Sequence, residues 1–157
     1  MRQTLSGDFI AAARALAPEI QAAREELDTA RRLPIRVVQA LTEAGLFQLF
    51  LPRSMGGPEV DPITFFHVIE ELSMMDGSVG WCALLSSAGS IYAGSLSVDV
   101  GRSLFGQPPD FRGAGSFRPL GEARIVEGGY RVSGRWDYAS GIDHARHLFF
   151  SCRVVDD

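Results

Sequence analysis

The stretch GGYRVSGRWDYASGIDHARHLFF, residues 128–150, decides how the chain folds. Gly128-Gly129 joins two alternating runs, Arg124-Ile125-Val126 before it and Tyr130 to Tyr138 after it. A Gly-Gly joint supplies the positive φ that a tight hairpin needs. In the second run Tyr130, Val132, Trp136 and Tyr138 share one parity, and Arg131, Ser133, Arg135 and Asp137 the other. In a strand these parities are opposite faces. The alternation predicts one aromatic, buried face and one charged, wet face. The aromatic parity runs on to Ser140, which Gly141 follows. A hydroxyl beside two large aromatics, with a glycine that admits close approach to the backbone, suits a flat heteroaromatic ligand. The same residues suit an ordinary sandwich core, and both readings stay open.

Upstream of this hairpin the sequence is helical. Ser6 to about Arg32 reads as one long helix with Ser6 as N-cap and a break near Ala17, where Pro18 interrupts the pattern. Leu33-Pro34 restarts a helix that Gly45 stops. Residues 46–62 are too irregular for a helix and read as a buried connection. Asp61-Pro62 opens a third helix with Phe65, Phe66, Ile69, Leu72 and Met75 on its apolar side. His67 within it reads as a surface or packed residue. Ser78 is expected to cap the next segment, the uncharged run Val79 to Val98.

That run has the length of a membrane span. Its serines and glycines, and the lack of a cationic anchor beside it, favour a helix buried on most sides. Its small residues, Ala83, Ser86, Ser87, Ser90 and Gly94, would admit a neighbouring helix or a ligand. Trp81 is the bulky ring near its start, read at this level as core. Ser97 or Asp99 begins a short helix to Phe105, and Gly106 to Asp110 breaks the pattern. The division expected is a helical unit of residues 1–109 and a partial β unit of residues 110–157.

The chain of 157 residues is 46% hydrophobic and 22% charged, a globular balance. All 15 basic residues are arginines, scattered with no basic stripe, so nucleic acid is not an expected partner. Cys82 and Cys152 stand far apart in apolar contexts, which predicts free thiols in a reducing compartment. With no signal-peptide core at the N-terminus, a cytoplasmic protein is expected, with no membrane attachment.

The chemical motifs are few. Gly113-x-Gly115 lacks its third glycine, since Arg118 stands there, and it follows a helix into a strand, the wrong order for a dinucleotide fold. His144 and His147 would point to opposite faces of an extended segment, and no further ligands complete a metal set. No nucleophile elbow surrounds any serine.

Three stretches together resemble the acyl-CoA dehydrogenase superfamily of flavoproteins: LTEAGLFQLFLPRSMGG (41–57), IEELSMMDGSVGW (69–81) and VSGRWDYASGIDHARHLFF (132–150). The last is similar to the strand that ends in an aromatic and a hydroxyl residue against the flavin, which places Tyr138 and Ser140 on those positions. The resemblance implies an α+β architecture: an all-α N-terminal domain, then the start of an antiparallel β-sandwich or barrel domain. It also implies that the chain stops within the β domain, short of a C-terminal helical bundle that completes the flavin site and builds a homotetramer.

Within the superfamily, GRWDYASGIDHA is similar to the oxygenase components of two-component flavin monooxygenases. The dehydrogenase loop after the first strand is replaced by Arg118-Pro119-Leu120-Gly121. The activity so implied is hydroxylation of an aromatic or related small molecule by reduced FMN or FAD from a separate flavin reductase. It would pass through a flavin C4a-hydroperoxide sheltered from water. The implied roles give Ser140 a catalytic hydrogen bond near flavin N5, with Trp81 and Tyr138 as walls of the ring and Ser116 near flavin or substrate. The alternatives are an acyl-CoA dehydrogenase-like oxidation of an acyl thioester, and an inactive interaction module.

Overall fold

The computed structural model describes residues 6–106 and 110–155, with side chains from Phe9 onward. The expected cap at Ser6 lies outside the described side chains, and the middle of the Gly106–Asp110 break, Gln107 to Pro109, lies outside the described residues. Helices come first: α1 (Ser6–Ala15), α2 (Ala17–Ala22), α3 (Arg24–Ala30), α4 (Ile35–Glu43), α5 (Pro62–Met75), α6 (Gly77–Ser90) and α7 (Val98–Phe105). A mixed sheet follows, made of β1 (Gly113–Val126), β2 (Gly129–Ser133) and β3 (His147–Val155) in the order β2-β1-β3.

The single long helix expected over residues 6–32 is three helices. Pro18 sits in the first turn of α2, where its missing N–H costs nothing, so the break falls at Leu16 as its position demands. A second break at Ala23 has no proline or glycine behind it. Ile20, Ala23 and Leu27 still share one core, as their helical spacing predicts. Pro34 precedes α4, and Gly45 follows it at φ 71°. The connection after it is buried as expected, with Leu46, Phe47, Leu49 and Leu51 inaccessible to solvent.

Asp61 caps α5 by accepting from the N–H groups of Ile63 and Thr64. Phe66 is not on the buried side. It is exposed with Ile63 and Met74, while Phe65, Val68, Ile69 and Leu72 face the core. The cap of α6 is Asp76 rather than Ser78: its carboxylate accepts from the N–H groups of Ser78 and Val79, and from the Ser78 hydroxyl. A carboxylate two residues earlier reaches both open N–H groups, so Ser78 is inside the helix. The expected uncharged helix ends at Ser90 and tightens into a 3₁₀ turn over Ile91–Ser95. Its small residues do admit neighbours. A side chain at Gly80 would strike Ser73 of α5, and one at Gly89 would strike the Phe149 ring of β3.

Hydroxyls of α6 tie the two layers. Ser86 Oγ donates to Phe47 O (2.8 Å) and accepts from Gly113 N (2.8 Å). Ser87 Oγ donates to Leu46 O (3.1 Å) and accepts from Leu49 N (3.3 Å). One buried helix turn therefore holds the 46–49 connection on one side and the start of β1 on the other.

The hairpin is present, shifted by one residue. Val126 pairs with Gly129, so the turn is Glu127-Gly128, with Gly128 at φ 79°. The buried aromatic face is not present. Tyr130 is 61% and Val132 53% exposed, because β2 is an edge strand that no other described element covers. The strand also stops at Ser133, which ends the parity that would have placed Trp136 and Tyr138 together. At Gly134 the chain passes over β1, with Gly121 directly beneath, a crossing that two side chains would block. Trp136 then stacks on Phe150 (centroids 4.6 Å apart) and donates to Ser151 O (3.1 Å). Having crossed, the chain returns as β3, parallel to β1 on its other edge. The β1–β3 register jumps between Ser116 and Gly121, the segment where the short Arg118-Pro119-Leu120 loop bulges out.

Candidate functional site

The crossing segment carries the site. After Trp136 the backbone enters a left-handed conformation twice, at Tyr138 (φ 61°) and Gly141 (φ 86°). Glycine takes the second freely, and tyrosine takes the first at a cost. The result is a tight corner that holds Tyr138 away from the protein, 90% exposed, and turns Ser140 back toward α6. There the indole Nε1–H of Trp81 donates to Ser140 Oγ at 3.3 Å. Trp81 lies in the first turns of α6, over the buried Val79, Gly80 and Ala83, and is itself 53% exposed. It is not core, contrary to the expectation at the level of pattern alone.

Between these elements lies a cleft of about 500 Å³. Trp81, Cys82 and Ser78 line one wall, Tyr138 to His144 a second, and the α3–α4 corner from Leu27 to Leu33 a third. That corner brings Asp28, Arg31 and Arg32 to the mouth. Arg31 closes α3 in a left-handed conformation at φ 54°. Three of the four expected site residues, Trp81, Tyr138 and Ser140, therefore meet in one cleft. Ser116 does not join them: it is buried on β1 opposite Phe150, where its hydroxyl accepts from Arg118 N at 3.4 Å.

Two further cleft residues are conditioned by burial. The Cys82 thiol is pushed up to about 11 by burial, with the nearby Asp76 charge adding to it, so it stays protonated. His144 packs its ring on Phe47, 5.3 Å between centroids. Burial, then the Arg112 charge, hold its pKa below the ordinary histidine value against the pull of Asp143. His144 and His147 are apart for a different reason from the one expected. Ile142–His144 form a 3₁₀ turn, and His147 starts β3, stacked on Phe111 and edge-on to Phe105. Among the described residues no cluster of three metal-ligating side chains occurs.

The turn is anchored behind. Arg146 and His147 both donate their backbone N–H to Arg112 O (2.8 and 3.0 Å). Asp110 accepts from Arg112 (3.0 Å) and Arg146 (2.6 Å). The missed parts of the site are the α3–α4 corner and the His144–Phe47 contact. Neither has a local signature, since each depends on a helix break or a crossover. A second, more apolar hollow of about 430 Å³ lies at the start of β3, walled by Tyr92, Phe105, Phe111, His147 and Phe149. No helix among the described residues is long and apolar enough to cross a membrane.

Comparison with known proteins matches residues 8–97 to the family model described as acyl-CoA dehydrogenase, N-terminal domain. Across its whole length the chain is 33% identical to the flavin-dependent monooxygenase oxygenase subunit HsaA of Mycobacterium tuberculosis, and it spans 40% of that relative. The crystal structure of the M. tuberculosis HsaA monooxygenase superposes with a TM-score of 0.88 at 32% identity, covering 97% of this chain and 42% of the other. XiaF from Streptomyces sp., solved in complex with FADH2 and glycerol, superposes with a TM-score of 0.88 at 28% identity, over 96% of this chain and 38% of its own. The FADH(2)-dependent resorcinol hydroxylase oxygenase component of Rhizobium sp. is 32% identical over 121 residues, 77% of this chain and 30% of its own.

Proposed function

The chain belongs to the acyl-CoA dehydrogenase family by its N-terminal domain, and on that premise we propose that it forms the flavin-facing part of a reduced-flavin-dependent monooxygenase. The reaction proposed is hydroxylation of an aromatic or related small molecule. The observation that carries the reading is the meeting of Trp81 and Ser140, 59 positions apart in the chain, in a cleft that Tyr138 overhangs.

The residues fit a flavin. The cleft volume falls in the range of small-molecule sites, about 300–1,000 Å³. Two flat aromatics border it, and a hydroxyl lies between them. Reduced FMN or FAD, when bound, supplies the electrons that activate dioxygen. The chain's own part is to hold the ring, orient it and keep water off it. Tyr138 and Trp81 would flank the ring, Ser140 would hydrogen-bond its edge, and the buried Leu27 and Leu33 would keep solvent from one wall. His144, held neutral, adds no charge to the pocket at pH 7. Ser116 is carried by the family resemblance alone, and Ser116→Ala with unchanged flavin affinity would remove it.

The proposal extends to a separate flavin reductase as partner, a homotetramer and a cytoplasmic location, as for a two-component system. It also keeps the division into units of residues 1–109 and 110–157, joined through Ser86 to Gly113 N and Gln48 to Phe111 N. The test supplies the full-length protein with photoreduced FMN or FAD, oxygen and a panel of phenols. Ser140→Ala should lower the ratio of hydroxylated product to hydrogen peroxide. An unchanged ratio would take Ser140 out of the site.

A further inference from the structure

We propose that Trp81 is a positioning residue that acts through Ser140, fixing the serine hydroxyl so that its proton is offered to the cleft ligand. The inference rests on the functional reading above and gives Trp81 a role distinct from walling the ring. An indole nitrogen is a donor only, whereas a hydroxyl has one proton and two lone pairs. Trp81 Nε1 lies 3.3 Å from Ser140 Oγ, so the serine oxygen accepts there and its own proton must point elsewhere. Among the described residues no acceptor takes that proton. The hydroxyl lines the cleft, and the cleft is where an acceptor would arrive.

Both partners are held in place. α6 is capped by Asp76 and buried through Val79, Gly80 and Ala83, which fixes its rotation and so the bearing of Trp81. The serine is set by the left-handed residues on either side, Tyr138 and Gly141. The indole is half exposed, so its N–H bond is not a by-product of core packing. A ligand that meets Ser140 therefore meets a donor whose range of orientations is already narrowed.

The test is a double-mutant cycle on the affinity of the full-length protein for photoreduced FMN and FAD, titrated anaerobically, with Trp81→Phe and Ser140→Ala singly and together. Phe keeps the aromatic surface and removes only the N–H. Trp81→Phe should weaken binding roughly two- to tenfold, the worth of one neutral hydrogen bond. In the Ser140→Ala background it should weaken binding no further. Equal weakening in both backgrounds, or none in the wild-type background, overturns the positioning role. Ser140→Ala binding like wild type overturns the functional reading instead, and absence of flavin binding by the full-length wild-type protein does the same.

A second readout needs no flavin. The Trp81 indole N–H should exchange more slowly with solvent in wild type than in Ser140→Ala. The Trp136 indole, bonded to Ser151 O at 3.1 Å, serves as the unaffected reference. Equal Trp81 exchange rates in the two proteins overturn the proposal.

Discussion

Replacing Ser86 by alanine tests how the helical layer holds the sheet that carries the site. The hydroxyl is 1% exposed and has two partners on two different elements, Phe47 O and Gly113 N, each at 2.8 Å. Alanine fits the space but leaves one buried carbonyl and one buried N–H without a partner. Each such orphan costs about 1–3 kcal/mol. Some relaxation toward solvent is available, so the expected loss is about 2–5 kcal/mol rather than the full sum. For a chain of this size that lowers the melting temperature by roughly 5–15 °C.

The matched control is Ser87→Ala, whose hydroxyl bonds only to Leu46 O and Leu49 N, within the helical layer. Urea unfolding gives the two losses, and amide hydrogen exchange at Gly113 separates them. Ser86→Ala should speed exchange at Gly113, and Ser87→Ala should not. A loss under about 0.5 kcal/mol for Ser86→Ala, or identical Gly113 protection in both variants, would refute the account of how the layers are joined.

Gly141→Ala places a Cβ on a residue at φ 86°, 3.2 Å from His144 Nε2, and should cost about 1–2 kcal/mol in a urea melt while weakening flavin binding. His144 has a folded pKa below its unfolded value, so the folded state binds fewer protons as pH falls through the ordinary histidine range. Stability should therefore be intact above that range and decline on acidification, and the slope of urea midpoint against pH should flatten in His144→Gln. Cys82, with its thiol pushed up to about 11, should react with iodoacetamide at pH 8 far more slowly in the folded protein than in denaturant, as mass spectrometry will show.

What was legible in the sequence is what local chemistry decides. Pro18 set a helix break, Asp61-Pro62 a helix start, and Gly128 a hairpin, each because a single residue restricts or frees the backbone there. The pairing of Trp81 with the Tyr138–Ser140 corner was legible only through family resemblance, since no local rule spans so many residues. What misled was parity. Tyr130, Val132, Trp136 and Tyr138 alternate as a buried strand face should, yet the strand ends at Ser133. Two facing glycines, Gly121 and Gly134, let the chain cross over β1 there, and periodicity cannot report a crossover. The second helix break at Ala23 was hidden because no proline or glycine marks it. Ile20, Ala23 and Leu27 keep helical spacing across it and share one core, so the pattern reads straight through.

The proposed flavin ring would lie against the Tyr138–Ser140 corner, facing Trp81. The direct test is anaerobic titration of the isotope-labelled full-length protein with photoreduced FAD and FMN, followed by amide and indole resonances. Saturable shifts are expected at the Trp81 indole and at residues 138–144, with the Gly128-Gly129 turn unmoved. Shifts confined to the hollow around Tyr92 and Phe149, with Trp81 and the corner silent, would contradict this placement.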